Sequence, residues 1–167
     1  MAAVPDMQVR PATPADAAAI TRIYNQGIED RGATFETRLR SSDEVAALLE
    51  ARADAYPAVV ASRDDEVIGF AWVSPYSDRE CYRGIGEYTV YVARDARGTG
   101  AGRVLVDALA DACRARGFWK ILSKIFPENA ASRALCRAAG FREVGVHRRH
   151  AQLDGAWRDV IVVERLL

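Results

Sequence analysis

The six residues Arg97-Gly98-Thr99-Gly100-Ala101-Gly102 restrict this chain more than any others. They follow a run rich in β-branched and aromatic residues that ends at Ala93, and they open a helical pattern. A glycine-rich strand-to-helix turn bends tightly and lets a ligand approach with no Cβ in the way. The first amides of a helix have no partner inside it, and that end carries about half a positive charge. The turn therefore suits a phosphate or pyrophosphate. Counted from Gly98, the sixth position of a G-x-G-x-x-G fingerprint is Arg103, and from Gly100 it is Leu105, so the dinucleotide pattern fails. The Gly-Lys-Ser/Thr of a nucleotide-triphosphate loop is absent. On the loop alone, a turn that binds nothing stays open.

The flanking patterns set the fold class. Residues 8–11 read as a short strand, and Thr13-Pro14-Ala15-Asp16 opens a helix with Ile20, Ile23, Tyr24 and Gly27 on one face. Residues 31–40 read as a loop, and Ser41 to Glu44 is a capping box for a second helix that faces Val45, Leu48 and Leu49 inward. Three strands are expected next, at 58–62, 66–74 and 85–93. A helix over 100–116 carries Val104, Leu105, Ala108, Leu109 and Ala112 as its apolar stripe. A strand at 121–126, a helix at 130–139 and strands at 142–150 and 158–164 complete the order βααβββαβαββ. Strands with helices packed on them give an α/β fold of the α+β sandwich kind. Residues 8–167 form the expected single domain, with residues 1–7 as a short lead-in.

Composition removes several classes. Lys plus Arg equals Asp plus Glu at 23 each, which gives no basic surface for nucleic acid or an anionic membrane. No apolar run approaches the roughly 20 residues of a membrane-spanning helix, and no export signal is read at the start. Cys81, Cys113 and Cys136 form no C-x-x-C pair, and His147 and His150 are too few for a histidine metal site. The expectation is a cytoplasmic protein with reduced thiols and no metal.

The loop also resembles the signature of the GCN5-related N-acetyltransferase superfamily. Its Arg/Gln-x-x-Gly-x-Gly/Ala pattern is met by Arg97, Gly100 and Gly102, and a second element by Asn129-Ala130-Ala131-Ser132, Leu135 and Gly140-Phe141. The resemblance implies a mixed central sheet of about seven strands with four helices. It also implies acetyl-CoA as cosubstrate: the amides of Arg97, Gly98, Thr99, Gly100, Ala101 and Gly102 would hold the pyrophosphate. The edge of Val90-Tyr91-Val92 would pair with the pantetheine arm between two splayed strands, and Asn129 and Ser132 would add cofactor contacts. Thr34-Phe35-Glu36-Thr37, Pro75 to Arg79, Glu87 to Val92 and Gly155 to Val160 are similar to the phosphinothricin N-acetyltransferases. The last third, from Phe118-Trp119-Lys120 through Ile125-Phe126-Pro127-Glu128-Asn129 to the end, looks most like the arsinothricin branch. Those enzymes acetylate the α-amine of a glutamate-like antimetabolite and so remove the ammonium charge that the mimicry needs.

Chemistry assigns tasks within that resemblance. An alkyl ammonium has a pKa of about 10.4, so only roughly one molecule in a few thousand is a free amine near pH 7. A base within reach removes that limit, and Glu87 matches the superfamily's catalytic glutamate. The amides around Tyr91-Val92 are candidate donors to the oxyanion of acyl transfer. Seven residues after Asn129, where many members have Tyr and phosphinothricin acetyltransferases have His, stands Cys136; it either donates a proton to the leaving thiolate or packs. The resemblance places Phe35, Arg79, Tyr82 and Thr89 at the substrate, puts Ser77 where a lysine is usual, and makes the segment of Trp157 and Asp159 part of a homodimer. Other readings are an acetyltransferase for a different amine, such as methionine sulfoximine, or a non-catalytic CoA-binding sensor.

Overall fold

The computed structural model describes residues 6–167, so most of the lead-in expected over 1–7 lies outside the described residues. Seven strands run β1 (Gln8–Pro11), β2 (Ala58–Arg63), β3 (Glu66–Pro75), β4 (Ile85–Val92), β5 (Lys120–Ile125), β6 (Arg142–Leu153) and β7 (Ala156–Leu166). Four helices, α1 (Ala17–Glu29), α2 (Ser42–Arg52), α3 (Ala101–Ala115) and α4 (Ala130–Ala138), join them. The strands lie in one sheet ordered β1-β2-β3-β4-β5-β7-β6, antiparallel except where β4 meets β5. The expected element order and mixed sheet are present.

β3 explains the layering. Every residue from Val67 to Val73 is buried, so both faces of the strand are covered. Phe70 stacks with Tyr24 of α1 and Trp72 packs against it at a tilt, while a Cβ at Gly69 would lie 2.8 Å from Leu105 of α3. Alternate residues of a strand point to opposite faces, so α1 covers the even side of β3 and α3 the odd side. The buried stripe of α3 is Ala101, Leu105, Val106, Leu109, Ala110 and Cys113. Val104, expected in that stripe, is exposed: the face is centred on Leu105 and Leu109, which turns position 104 outward.

Local chemistry sets the element ends. Ser41 and Glu44 exchange hydrogen bonds as the capping box of α2. Thr13 begins a short 3₁₀ turn over Pro14–Asp16 before α1. The β6 and β7 strands run longer than the sequence suggested. Their connection is only Asp154-Gly155, with φ of 50° and 79°, the two-residue left-handed turn that matches hairpin twist. β6 is an edge strand exposed along most of its length, so no in–out alternation marks its limits.

Candidate active site

β4 and β5 pair at only three positions, Ile85 with Lys120, Gly86 with Ile121 and Glu87 with Leu122. Beyond them β4 stays on β3 as far as Val92, and β5 stays on β7 as far as Ile125. The sheet therefore opens like a fork with Glu87 at its crotch. A cleft of about 450 Å³ lies in the opening, walled by β4, β5, α4 and the segment Ala33–Phe35. Among the described residues, the inner edge of β4 past Glu87 has no strand to bond, although its peptide groups still need partners. An extended ligand with its own amides satisfies them as a missing strand would.

The glycine turn continues from the open end of β4. Gly98 and Gly100 have φ of 75° and 90°, and no atom lies within 4 Å of where a Cβ would project from either. Gly100 precedes α3 without a capping side chain, which leaves the helix's first amides unpaired by any cap. The turn is braced from behind. Arg97 donates from Nε to the Val92 carbonyl at 3.2 Å and pairs with Asp30 at 2.8 Å, and Thr99 donates to the Ala96 carbonyl at 2.6 Å. These side chains hold the backbone open and are not aimed at a ligand. Orphan helix amides, a bare glycine cradle and a free strand edge in continuous sequence fit the pyrophosphate and pantetheine of coenzyme A.

Within the cleft, Glu87 Oε1 accepts a hydrogen bond from Lys124 Nζ at 2.9 Å, and both side chains are about one-third exposed. Tyr88 Oη lies 3.1 Å from Cys136 Sγ, both buried, and burial pushes the phenol and the thiol up from their ordinary values. Each is therefore neutral near pH 7. On the α1 side, Tyr24 and Arg40 both donate to Glu36, and the Tyr91 ring lies over Gly27. Burial pushes the Tyr91 phenol up to about 12. Asn129 caps α4 by accepting from the Ser132 amide at 3.1 Å and donates from Nδ2 to the Gly32 carbonyl at 3.3 Å, tying the α1–α2 loop to α4 across the cleft.

The structure brings eight of the expected residues to one place. Phe35, Glu87, Thr89, Val90, Tyr91, Asn129, Ser132 and Cys136 all line the cleft, and Phe35 stands edge-on to Phe126. Arg79 and Tyr82 do not. Arg79 heads a short 3₁₀ turn over Glu80–Tyr82, and its guanidinium rests 5.6 Å from the Tyr82 ring centre on the surface. Sequence reading missed Lys124, Tyr88 and His150. Lys124 follows from the alternation of β5, which points it to the same side as Leu122, the partner of Glu87. His150 carried no signal: it enters the cleft wall because β6 bulges between His147 and Ala151, where Arg149 takes φ of 47° and donates its amide to Asp159 at 2.8 Å.

Comparison with known proteins agrees with this geometry. The sequence profile of the family described as Acetyltransferase (GNAT) matches residues 21–141. The chain is 34% identical over 154 residues to the phosphinothricin N-acetyltransferase of Streptomyces viridochromogenes, covering 92% of this chain and 84% of that protein. It is also 34% identical over 158 residues to the L-methionine sulfoximine/L-methionine sulfone acetyltransferase of Pseudomonas paraeruginosa, covering 93% and 92%. Among solved structures, a GNAT phosphinothricin acetyltransferase from Sinorhizobium meliloti in complex with acetyl-CoA superposes with a TM-score of 0.90 at 33% identity, covering 96% of this chain and 88% of that one.

Proposed function

The chain belongs to the acetyltransferase (GNAT) family and is an acetyl-CoA-dependent N-acetyltransferase, and from that premise we propose that its acceptor is the α-amine of a small glutamate-like amino acid. The likeness of the last third, from Phe118 through Asn129 to the end, supports arsinothricin as the first candidate. Phosphinothricin and methionine sulfoximine follow from the activities named for the relatives. The observation that carries this reading is the fork: one carboxylate, Glu87, stands where β4 and β5 part, inside a cleft sized for a small molecule.

Acetyl-CoA, when bound, supplies the acetyl group as a thioester. The residues of the chain do the rest. Glu87 takes a proton from the acceptor ammonium, directly or through one water, and so produces the nucleophilic amine. The free edge of β4 around Tyr91 and Val92 offers amides to the oxyanion. Phe35 and Thr89 line the acceptor's space. Transfer is direct, in a ternary complex. The buried Cys136 thiol faces the Tyr88 hydroxyl, and burial raises it, so it is not activated for a covalent intermediate. Acylation removes the ammonium charge of the antimetabolite and confers resistance to it.

We assign the working form as a cytoplasmic homodimer. Val144, Val146 and Trp157 are large exposed apolar side chains on the β6–β7 hairpin, which supports self-association there. No helix among the described residues is long and apolar enough to cross a membrane.

The test is thiol release from acetyl-CoA with arsinothricin, phosphinothricin and methionine sulfoximine at matched concentrations. Turnover of at least one is expected. Tight CoA binding with no turnover of any amino acid would replace this reading with a non-catalytic sensor.

A further inference from the structure

The Lys124–Glu87 pair has a consequence for which acceptors the site takes. Among the described residues that line the cleft, Glu87 is the only carboxylate and Lys124 the only lysine or arginine. They meet at 2.9 Å, beside the point where the two strands separate. A partly exposed ion pair of this kind contributes only about 0–1 kcal/mol to stability, because screening and lost side-chain freedom offset the attraction. It is therefore cheap to exchange for other charged partners.

An α-amino acid brings such a pair on one carbon: an ammonium for Glu87 and a carboxylate for a cation. A zwitterion entering the cleft can replace the internal pair with two new ones, and no charge is left unpaired. An amine without the carboxylate cannot. It competes with Lys124 for Glu87 and leaves the lysine charge without its partner in a half-enclosed cleft. Arg79, which the resemblance places at the substrate, lies outside the cleft on the surface with its guanidinium over the Tyr82 ring, so within the chain it does not supply this cation.

We propose that Lys124 binds the α-carboxylate of the acceptor, exchanging its hydrogen bond to Glu87 for that carboxylate and leaving Glu87 Oε1 to the α-amine. Lys124 is then the residue that restricts this enzyme to free α-amino acids. The assignment rests on the reading that the acceptor is an amino acid.

The experiment pairs each of the three amino acids above with its own α-carboxamide, which keeps shape and amine while removing the negative charge. Specificity constants at saturating acetyl-CoA are measured for the wild type, Lys124→Met and Lys124→Arg, with circular dichroism confirming that each variant folds. The preference for acid over amide is compared between enzymes, so the intrinsic reactivity of the amide's amine cancels. Lys124→Met is expected to shrink that preference by about 10- to 100-fold, the range for loss of a charged hydrogen bond. The change should fall on the KM of the amino acid, with the KM of acetyl-CoA unchanged, and Lys124→Arg should restore most of the preference. A Lys124→Met enzyme that slows on acid and amide alike overturns the assignment and leaves Lys124 as a neutralising partner of Glu87. No turnover of any of the three acids by the wild type overturns the amino-acid reading itself, and this assignment with it.

Discussion

The Tyr88 hydroxyl and the Cys136 thiol meet at 3.1 Å on the wall of the cleft, the first carried by β4 and the second by α4. This contact joins the two elements that enclose the reacting space, and it is built from two neutral, buried groups. Burial raises the Cys136 thiol, and it pushes that of Cys113 up to about 12. Because the thiolate is the reactive form, both should resist alkylation. With the folded protein at pH 8, iodoacetamide followed by mass spectrometry should label the exposed Cys81 and spare the other two. Labelling of Cys136 at the rate of Cys81 would contradict the enclosed pair. Cys136→Ala should destabilise the fold by about 1–3 kcal/mol, since it strands the Tyr88 hydroxyl, whereas Cys136→Ser should recover most of that loss.

Glu87 is a second point of test. Glu87→Gln keeps the size of the side chain but cannot take a proton. Turnover at saturating amine should fall by about 10²- to 10⁴-fold while the calorimetric affinity for acetyl-CoA stays within threefold. Turnover near the wild-type rate would remove Glu87 from proton transfer.

Gly27 lets α1 approach the cofactor strand. A Cβ there would overlap the Tyr91 ring, which lies on the helix and also lines the cleft. Gly27→Ala should therefore cost about 1–3 kcal/mol by overpacking, read as a lowered melting temperature. It should also raise the KM of acetyl-CoA, because relief comes from moving Tyr91. A variant as stable as the wild type would show that the contact yields without strain.

Stability in acid should depend on Asp16. The Arg10 guanidinium, with donors at 2.8 Å to both carboxylate oxygens, and the Thr13 amide hold this carboxyl below its ordinary value. A carboxyl depressed in the folded state contributes stability that is complete above its unfolded value of about 3.9 and is lost as pH falls through the folded value. Asp16→Asn should thus be less stable at pH 7 by roughly 1 kcal/mol, the scale of a lost capping interaction. The gap should close below about pH 4. A gap that persists unchanged into strong acid would mean that the carboxylate's charge plays no part.

The sequence alone settled whatever depends on neighbours along the chain. Periodicity marked the helices, the capping box of Ser41 and Glu44 placed a helix start, and the glycines of residues 97–102 announced a turn with free amides. These are local signals, because hydrogen bonding, φ and amphipathic period act over a few residues. Glu87, Cys136 and Phe35 could be named only through likeness to a family, and it was the fold that gathered them around one cleft. The tertiary structure alone decided that β4 and β5 part at Glu87, that Lys124 sits against it, that Tyr88 meets Cys136 and that Arg79 stays outside. Those relationships join residues up to 48 positions apart, where the geometry of sheet pairing sets the distance and no local pattern records it.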